Sequence, residues 1–281
     1  MLYENFGVHK EAYYNYLRRL EETFSKGLQS EISAKEWKFL DFPEEFFEEE
    51  MTIWIDPLDG TKGFVEGHIH HITGMIGVSV KGRPRIGVIH KPFYNMRYHH
   101  SRTYFGTPEC GIFIKDKFHD KLDRLRKYHP LPPFPHDFAV PDEDFRIWSV
   151  GSMNRNQVIM NEIYEAMQTV NVARVAGSGN KWVYMLDQKA DAYINMVPGL
   201  KFWDLCAGEA LLQSRLGVLT DASGNAIFYD ESLEDYTPRN GIIACKNLRT
   251  YNIMKERIEK NTGKSLMQHH ALMAEEIARK K

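Results

Sequence analysis

A layered α/β fold is predicted for this chain of 281 residues, and three patterns predict it. Residues 51 to 115 read as short strands joined by turns, which points to an antiparallel, hairpin-rich sheet. After about residue 145, strand-like and helix-like segments alternate, as in an α/β unit. Between the two lies YHPLPPFPHDFAVPDED (128–144), rich in proline and acid, which reads as a connector. The predicted division is an N-terminal subdomain over 1–135 and a C-terminal α/β subdomain over 136–281.

Taken in order, HKEAYYNYLRRLEETFSK (9–26) carries apolar side chains at helical spacing among good helix formers, with Gly27 as the stop. The acidic run EEFFEEE (44–50) reads as a solvated approach to the strand MTIWID (51–56). Two apolar runs, near 72–80 and 85–90, flank Lys-Gly-Arg-Pro, a hairpin signal. Past the connector, FRIWSVGS is a strand, NQVIMNEIYEAMQ a helix, VNVARVAGSG a strand and glycine turn, NKWVYMLDQK a helix and ADAYINMV a strand. WDLCAGEALLQSRLG reads as a helix ending at Gly217, GVLTDASGNAIFYD as a strand and hairpin, and KSLMQHHALMAEEIARKK as a solvated helix or frayed end.

Charges nearly balance at a formal −2, which argues against a nucleic-acid coat or a polybasic membrane surface. Cys110, Cys206 and Cys245 have neither zinc nor disulfide spacing, so a reducing, cytoplasmic setting is expected. No stretch is apolar and long enough to span a bilayer, and MLYENFGVHK lacks a signal-peptide core. His68 and His70 in HIHH share a face if extended, but no cysteine or carboxylate pairs with them, so they read as surface histidines rather than a zinc site.

The chemistry concentrates in WIDPLDGTKGF (54–64). Asp-Pro and Asp-Gly are turn dipeptides, and a tight turn after Ile55 would aim Asp56 and Asp59 at one point. Asp204 opens the segment DLCAGEALL; alone it reads as a helix N-cap, and with the other two it completes the oxygen ligand set a divalent cation needs.

DPLDGT followed by WDLCAGEALL resembles the inositol monophosphatase superfamily, magnesium-dependent and lithium-sensitive phosphatases; GVIHKPF, GSGNK, KADAYI and GVLTDASGN support it. Within that group the chain looks most like the 3′(2′),5′-bisphosphate nucleotidases, GVIHKPF being similar to their Golgi-resident branch. The resemblance implies Mg²⁺ held by Asp56, the Leu58 carbonyl, Asp59 and Asp204, two ions clamping the attacking water and the leaving oxygen. It implies that Thr61 positions the water, that the N–H groups of Gly60 and Thr61 meet the phosphate, and that Ser152, Ser178 and Lys181 contact the nucleotide. The implied reaction converts 3′-phosphoadenosine 5′-phosphate to AMP and phosphate, by a monomer or homodimer. An inositol phosphate phosphatase and a catalytically impaired nucleotide-binding relative are the alternatives.

The family also places a glutamate and an aspartate upstream of the DPxDGT motif. Neither is visible here, with Glu4 a remote substitute, so the chain is expected to be N-terminally short. Met153 stands where nucleotidases carry histidine and Gly63 where they carry glutamate, departures that bear on substrate more than on chemistry.

Overall fold

The computed structural model describes residues 50–98, 100–118, 128–134, 141–152 and 158–279. The helix expected over 9–26 with its stop at Gly27, nearly all of the acidic run, Glu4 and Met153 lie outside the described residues. Six strands, β1 (Met51–Asp59), β2 (Thr73–Val80), β3 (Arg83–Asn95), β4 (His100–Thr107), β5 (Gly111–Phe118) and β6 (Tyr128–Leu131), form an antiparallel sheet in sequential order. Lys81 and Gly82 both take positive φ (49° and 69°), so a two-residue turn of the primed type joins β2 to β3. Pro84, expected in the turn, sits inside β3 where the register shifts, a place that tolerates a residue with no N–H.

The second sheet is mixed. Its strands β7 (Ile147–Gly151), β8 (Thr169–Arg174), β9 (Ala192–Asn195), β10 (Val218–Thr220) and β11 (Ile242–Cys245) run in the order β10-β11-β9-β7-β8. The pairs β7–β8 and β7–β9 are parallel and the rest antiparallel. A short helix α1 (Thr61–Val65) follows β1. The longer helices are α2 (Val158–Ala166), α3 (Ser178–Leu186), α4 (Cys206–Gln213), α5 (Leu248–Thr262) and α6 (Leu266–Arg279). Helices α3 and α4 lie between the sheets, where Trp182, Leu186 and Leu211 share one core with Met75, Ile89 and Tyr104 from the first sheet and Tyr193 and Ile242 from the second. On the far face of the second sheet, Ile147, Ile194 and Ile243 pack with Ile163, Met254 and Met273 of α2, α5 and α6. The result is the layered α/β architecture predicted.

Several expected details differ. After β10 no second hairpin strand forms; Asp221 closes a local turn, its carboxylate accepting the Ser223 and Asn225 N–H groups, and β10 pairs instead with β11, some twenty residues on. The C-terminal segment forms a helix, α6, as one of the two expectations had it, but that helix is not fully solvated, because its Leu266, His269 and Met273 are buried. Helix α5 and strand β11 have no counterpart in the sequence reading, although Asn247 caps α5 through Thr250 N–H (2.8 Å) and left-handed Gly263 ends it.

Helix α4 approaches the first sheet across paired glycines. Gly77 of β2 and Gly87 of β3 face each other in register. A Cβ on Gly77 would lie 2.6 Å from the Ala207 nitrogen, and one on Gly87 2.3 Å from the Ala207 oxygen. Both obstacles are backbone, which cannot rotate away, so the helix sits this low only over glycine. Gly87→Ala is therefore expected to cost about 2–4 kcal/mol in urea unfolding and, by lifting α4 and the adjoining Asp204, to weaken divalent-cation binding in calorimetry.

Candidate metal centre

Strand β1 does not stop at a turn after Ile55, as the sequence suggested, but continues to Asp59. Asp56 pairs with Met75 and Asp59 with Thr73, so three residues of β1 advance while β2 advances two. In a regular strand residues three apart point to opposite faces. The extra residue of this bulge resets the alternation, and Asp56 and Asp59 emerge on the same inward face as Met75 and Thr73. Pro57 fits here because a bulge releases a backbone N–H from the ladder. The Leu58 N–H then donates to Asp56 Oδ1 (3.1 Å). Gly60 closes the corner with φ 83°, a left-handed conformation open to glycine at little cost.

Asp59 is the most constrained of the acids. Its Oδ1 accepts Ser178 N–H (3.0 Å), and its Oδ2 accepts Gly179 N–H (2.8 Å) and the Thr73 hydroxyl (2.8 Å). It thereby caps α3 from another part of the chain, where the helix's own N-cap, Gly177, has no side chain to do so. Asp204 closes a 3-10 turn (Phe202–Asp204) rather than opening α4, whose N-cap is Leu205. Its Oδ2 accepts Lys201 N–H (2.7 Å), and its backbone carbonyl accepts the Ser178 hydroxyl (3.0 Å) and Trp182 Nε1–H (2.8 Å).

Carboxylate oxygens of Asp56, Asp59 and Asp204 all lie within 4.8 Å of one another. Burial pushes the Asp204 carboxyl up to about 7, with Asp59 and Asp56 adding to the rise and Lys201 N–H opposing it. Burial and the neighbouring Asp59 also raise Asp56. Lys181 is a nearby cation, its ammonium lowered by burial and donating to the Gly177 carbonyl (2.8 Å), and Lys91 also acts on Asp59. Three hard oxygen donors with two elevated carboxyls fit a divalent cation such as Mg²⁺, since its charge removes the repulsion that raises them.

The remaining predicted residues are arranged around this cluster. The exposed Thr61 hydroxyl donates to the Leu58 carbonyl (3.2 Å) at the start of α1. Ser152 and Lys181 line one cavity of about 180 Å³ beside Tyr193. Ser178 is buried with its hydroxyl on Asp204, so it holds the acid's backbone. Two residues were missed. His71 Nδ1 accepts Ala176 N–H (3.1 Å), and Lys91, lowered to about 8 by burial, donates to the His70 carbonyl (2.6 Å) and to Asn180 Oδ1. Together they brace the α3 entrance from below. A signal existed for Lys91: it shares the buried face of β3 with Gly87 and Ile89, an odd place for a lysine without a partner. Of the other histidines in HIHH, His68 is exposed and faces Glu66, and His70 packs on His71 with ring centroids 4.0 Å apart.

A family model for inositol monophosphatases matches residues 10–266. The chain belongs to the inositol monophosphatase family. The rat 3′(2′),5′-bisphosphate nucleotidase 1 is 30% identical over 227 residues, covering 78% of this chain and 65% of the relative. The human Golgi-resident adenosine 3′,5′-bisphosphate 3′-phosphatase is 30% identical over 202 residues, 68% of this chain and 47% of that protein. The chain thus spans less than two thirds of the length of either. Among solved structures, the inositol monophosphatase of the cyanobacterium Anabaena superposes with a TM-score of 0.54 at 18% identity, covering 81% of this chain and 84% of that one, which shows the shared fold.

The electrostatics of this family member set a linked pair of outcomes. An acid whose carboxyl is raised from 3.8 to about 7 on folding binds more protons folded than unfolded, so stability is lost as pH rises through that window. Asp204→Asn is expected to stabilise the cation-free protein at pH 8 by about 1–3 kcal/mol, read by urea unfolding in chelator. The same change should lower Mg²⁺ affinity roughly tenfold or more in calorimetry. In the unsubstituted protein Mg²⁺ affinity should fall from pH 8 to pH 6, with proton release on binding seen as a buffer-dependent heat.

Proposed function

We propose that this protein is a magnesium-dependent phosphatase that removes the 3′-phosphate of adenosine 3′,5′-bisphosphate, giving AMP and phosphate. The observation that carries this reading is the convergence of Asp56, Asp59 and Asp204 from β1 and the 3-10 turn into one acidic cluster. The choice of substrate follows the bisphosphate nucleotidase relatives at 30% identity. Mg²⁺, held by the three carboxylates and the Leu58 carbonyl, would polarise the phosphoryl group and lower the pKa of water.

The chain's own groups then divide the work. The Thr61 hydroxyl donates its hydrogen to the Leu58 carbonyl, which leaves its lone pairs to accept a hydrogen bond from the attacking water and so orient it. The backbone N–H groups of Gly60 and Thr61, at the start of α1, face the phosphate oxygens. Lys181 sits between the acids and the 180 Å³ cavity it shares with Ser152; its ammonium meets substrate as a point charge. Ser178 acts at one remove, by fixing Asp204. Three free cysteines are consistent with a reducing compartment, so we place the enzyme in the cytoplasm. Among the described residues no helix is long and apolar enough to cross a membrane.

Phosphate release in saturating Mg²⁺ should show kcat/KM for adenosine 3′,5′-bisphosphate exceeding that for inositol 1-phosphate by roughly a hundredfold. The reverse order would identify an inositol phosphate phosphatase, and no release from either a binding protein without turnover. Lys181→Met, close in length and shape, should raise KM for the nucleotide about tenfold and leave Mg²⁺ affinity within about twofold. Equal loss of both would mean that the buried lysine supports the fold.

A further inference from the structure

A second cavity, of about 290 Å³, opens beside the first. The two share the wall formed by Asn195, Val197, Pro198, Gly199 and Leu200. Gly199 in this wall takes φ 123°, and a Cβ there would meet nothing within 4 Å. The far side of this cavity is made by Asp235, Thr237 and Arg239 from the loop before β11 and by His270 from α6. The family match ends at residue 266. His270 therefore comes from outside the matched span.

The charges decide what this cavity would take. Arg83, Arg85, Arg102 and Arg249 each sit on a carboxylate, whereas Arg239 has no hydrogen-bond or ion-pair partner among the described residues, and it is exposed. Lys201 brings a second cation to the rim, its ammonium donating to the Asp235 carbonyl (2.7 Å) and to Thr237 Oγ1 (2.9 Å). Two acids are near: Asp235, which lines the cavity, and Asp221, whose charge acts on His270. Lys201 also links this cavity to the metal centre, because its own N–H holds Asp204 Oδ2 at 2.7 Å. An arginine without a partner in the cavity wall, with Lys201 behind it as a direct link to Asp204, favours an anion that belongs to the same bound molecule. A guanidinium offers a planar fork that matches phosphate oxygens in pairs.

We propose that this cavity is a specificity subsite in which Arg239, supported by Thr237 and His270, binds the phosphate that the enzyme does not cleave. The proposal rests on the phosphatase reading above and deepens it: the preferred substrates carry two phosphates, one at the acidic cluster and one across the 195–200 wall. It assigns substrate choice to residues outside both signature motifs.

The test compares two substrates and, separately, two ligands. In the unsubstituted enzyme kcat/KM for adenosine 3′,5′-bisphosphate should exceed that for adenosine 3′-monophosphate, and Arg239→Ala should cut that ratio at least tenfold, mainly through KM. Arg239→Lys should recover part of it, and His270→Ala should reduce it severalfold. An unchanged ratio in Arg239→Ala overturns the proposal. Calorimetry with AMP and adenosine then reads the subsite without turnover: AMP should bind about tenfold more tightly, and Arg239→Ala should erase the preference. If AMP shows no advantage, or keeps it in the variant, the subsite is wrong. If instead the preference depends on Arg239 but no phosphate is released from the bisphosphate, the subsite stands and the proposed reaction fails. Arg239 is exposed, so thermal unfolding of the variant should match the unsubstituted protein and exclude misfolding as the cause.

Discussion

The carboxylate of Asp59 is the joint on which the arrangement turns. It leaves the first sheet at the end of β1 and accepts the Ser178 and Gly179 N–H groups at the head of α3. A helix N-terminus between two sheets carries unsatisfied donors that water cannot easily reach, and an anion is the natural partner. In meeting that need Asp59 fixes the first sheet against the helix layer. Ser178 passes the constraint on by donating to the Asp204 carbonyl. One structural demand thus brings two acids of distant sequence together.

The joint has an energetic cost. Asp56 and Asp204 are held near Asp59 with their carboxyls raised, Asp204 by burial first and by its acidic neighbours second. Such a cluster weakens the fold unless a cation occupies it, the usual tension between a binding site and stability. The surrounding structure resists the strain. Glycines at 77 and 87 let α4 lie directly on the sheet, and Tyr94 and Tyr104 of the first sheet both donate to Asp187, at the end of α3. Helix α3 is therefore pinned to the first sheet at both ends, by Asp59 at its head and by Asp187 at its tail.

Lys201 shows how little chain separates chemistry from selection. Its backbone orients Asp204, and its side chain anchors the 235–237 loop that walls the larger cavity. A change in that loop reaches the acid through a single residue. The fold keeps the acidic cluster on strand ends and a short turn, and leaves the outer cavity to loops and to α6.

The sequence by itself determined the fold class, the family and the three acids. Alternating apolar residues set strands, helical spacing set helices, and Asp-Pro-Leu-Asp-Gly-Thr with Trp-Asp is a pattern specific enough to name the ligands. It also marked the β2–β3 turn, because Lys-Gly-Arg-Pro between two apolar runs is a hairpin signal, although the turn itself uses only Lys81 and Gly82. Only the tertiary structure decided how Asp56 and Asp59 face one way. That depends on a register shift against β2, and a bulge is a relation between two strands, not a property of one. Likewise the tasks of Ser178, Lys91 and His71 are set by what lies opposite them: the Asp204 carbonyl, Asn180 and the Ala176 N–H. Strand β11 and the buried face of α6 escaped notice for the same reason, since their partners come from distant parts of the chain and local pattern does not encode which surfaces will meet.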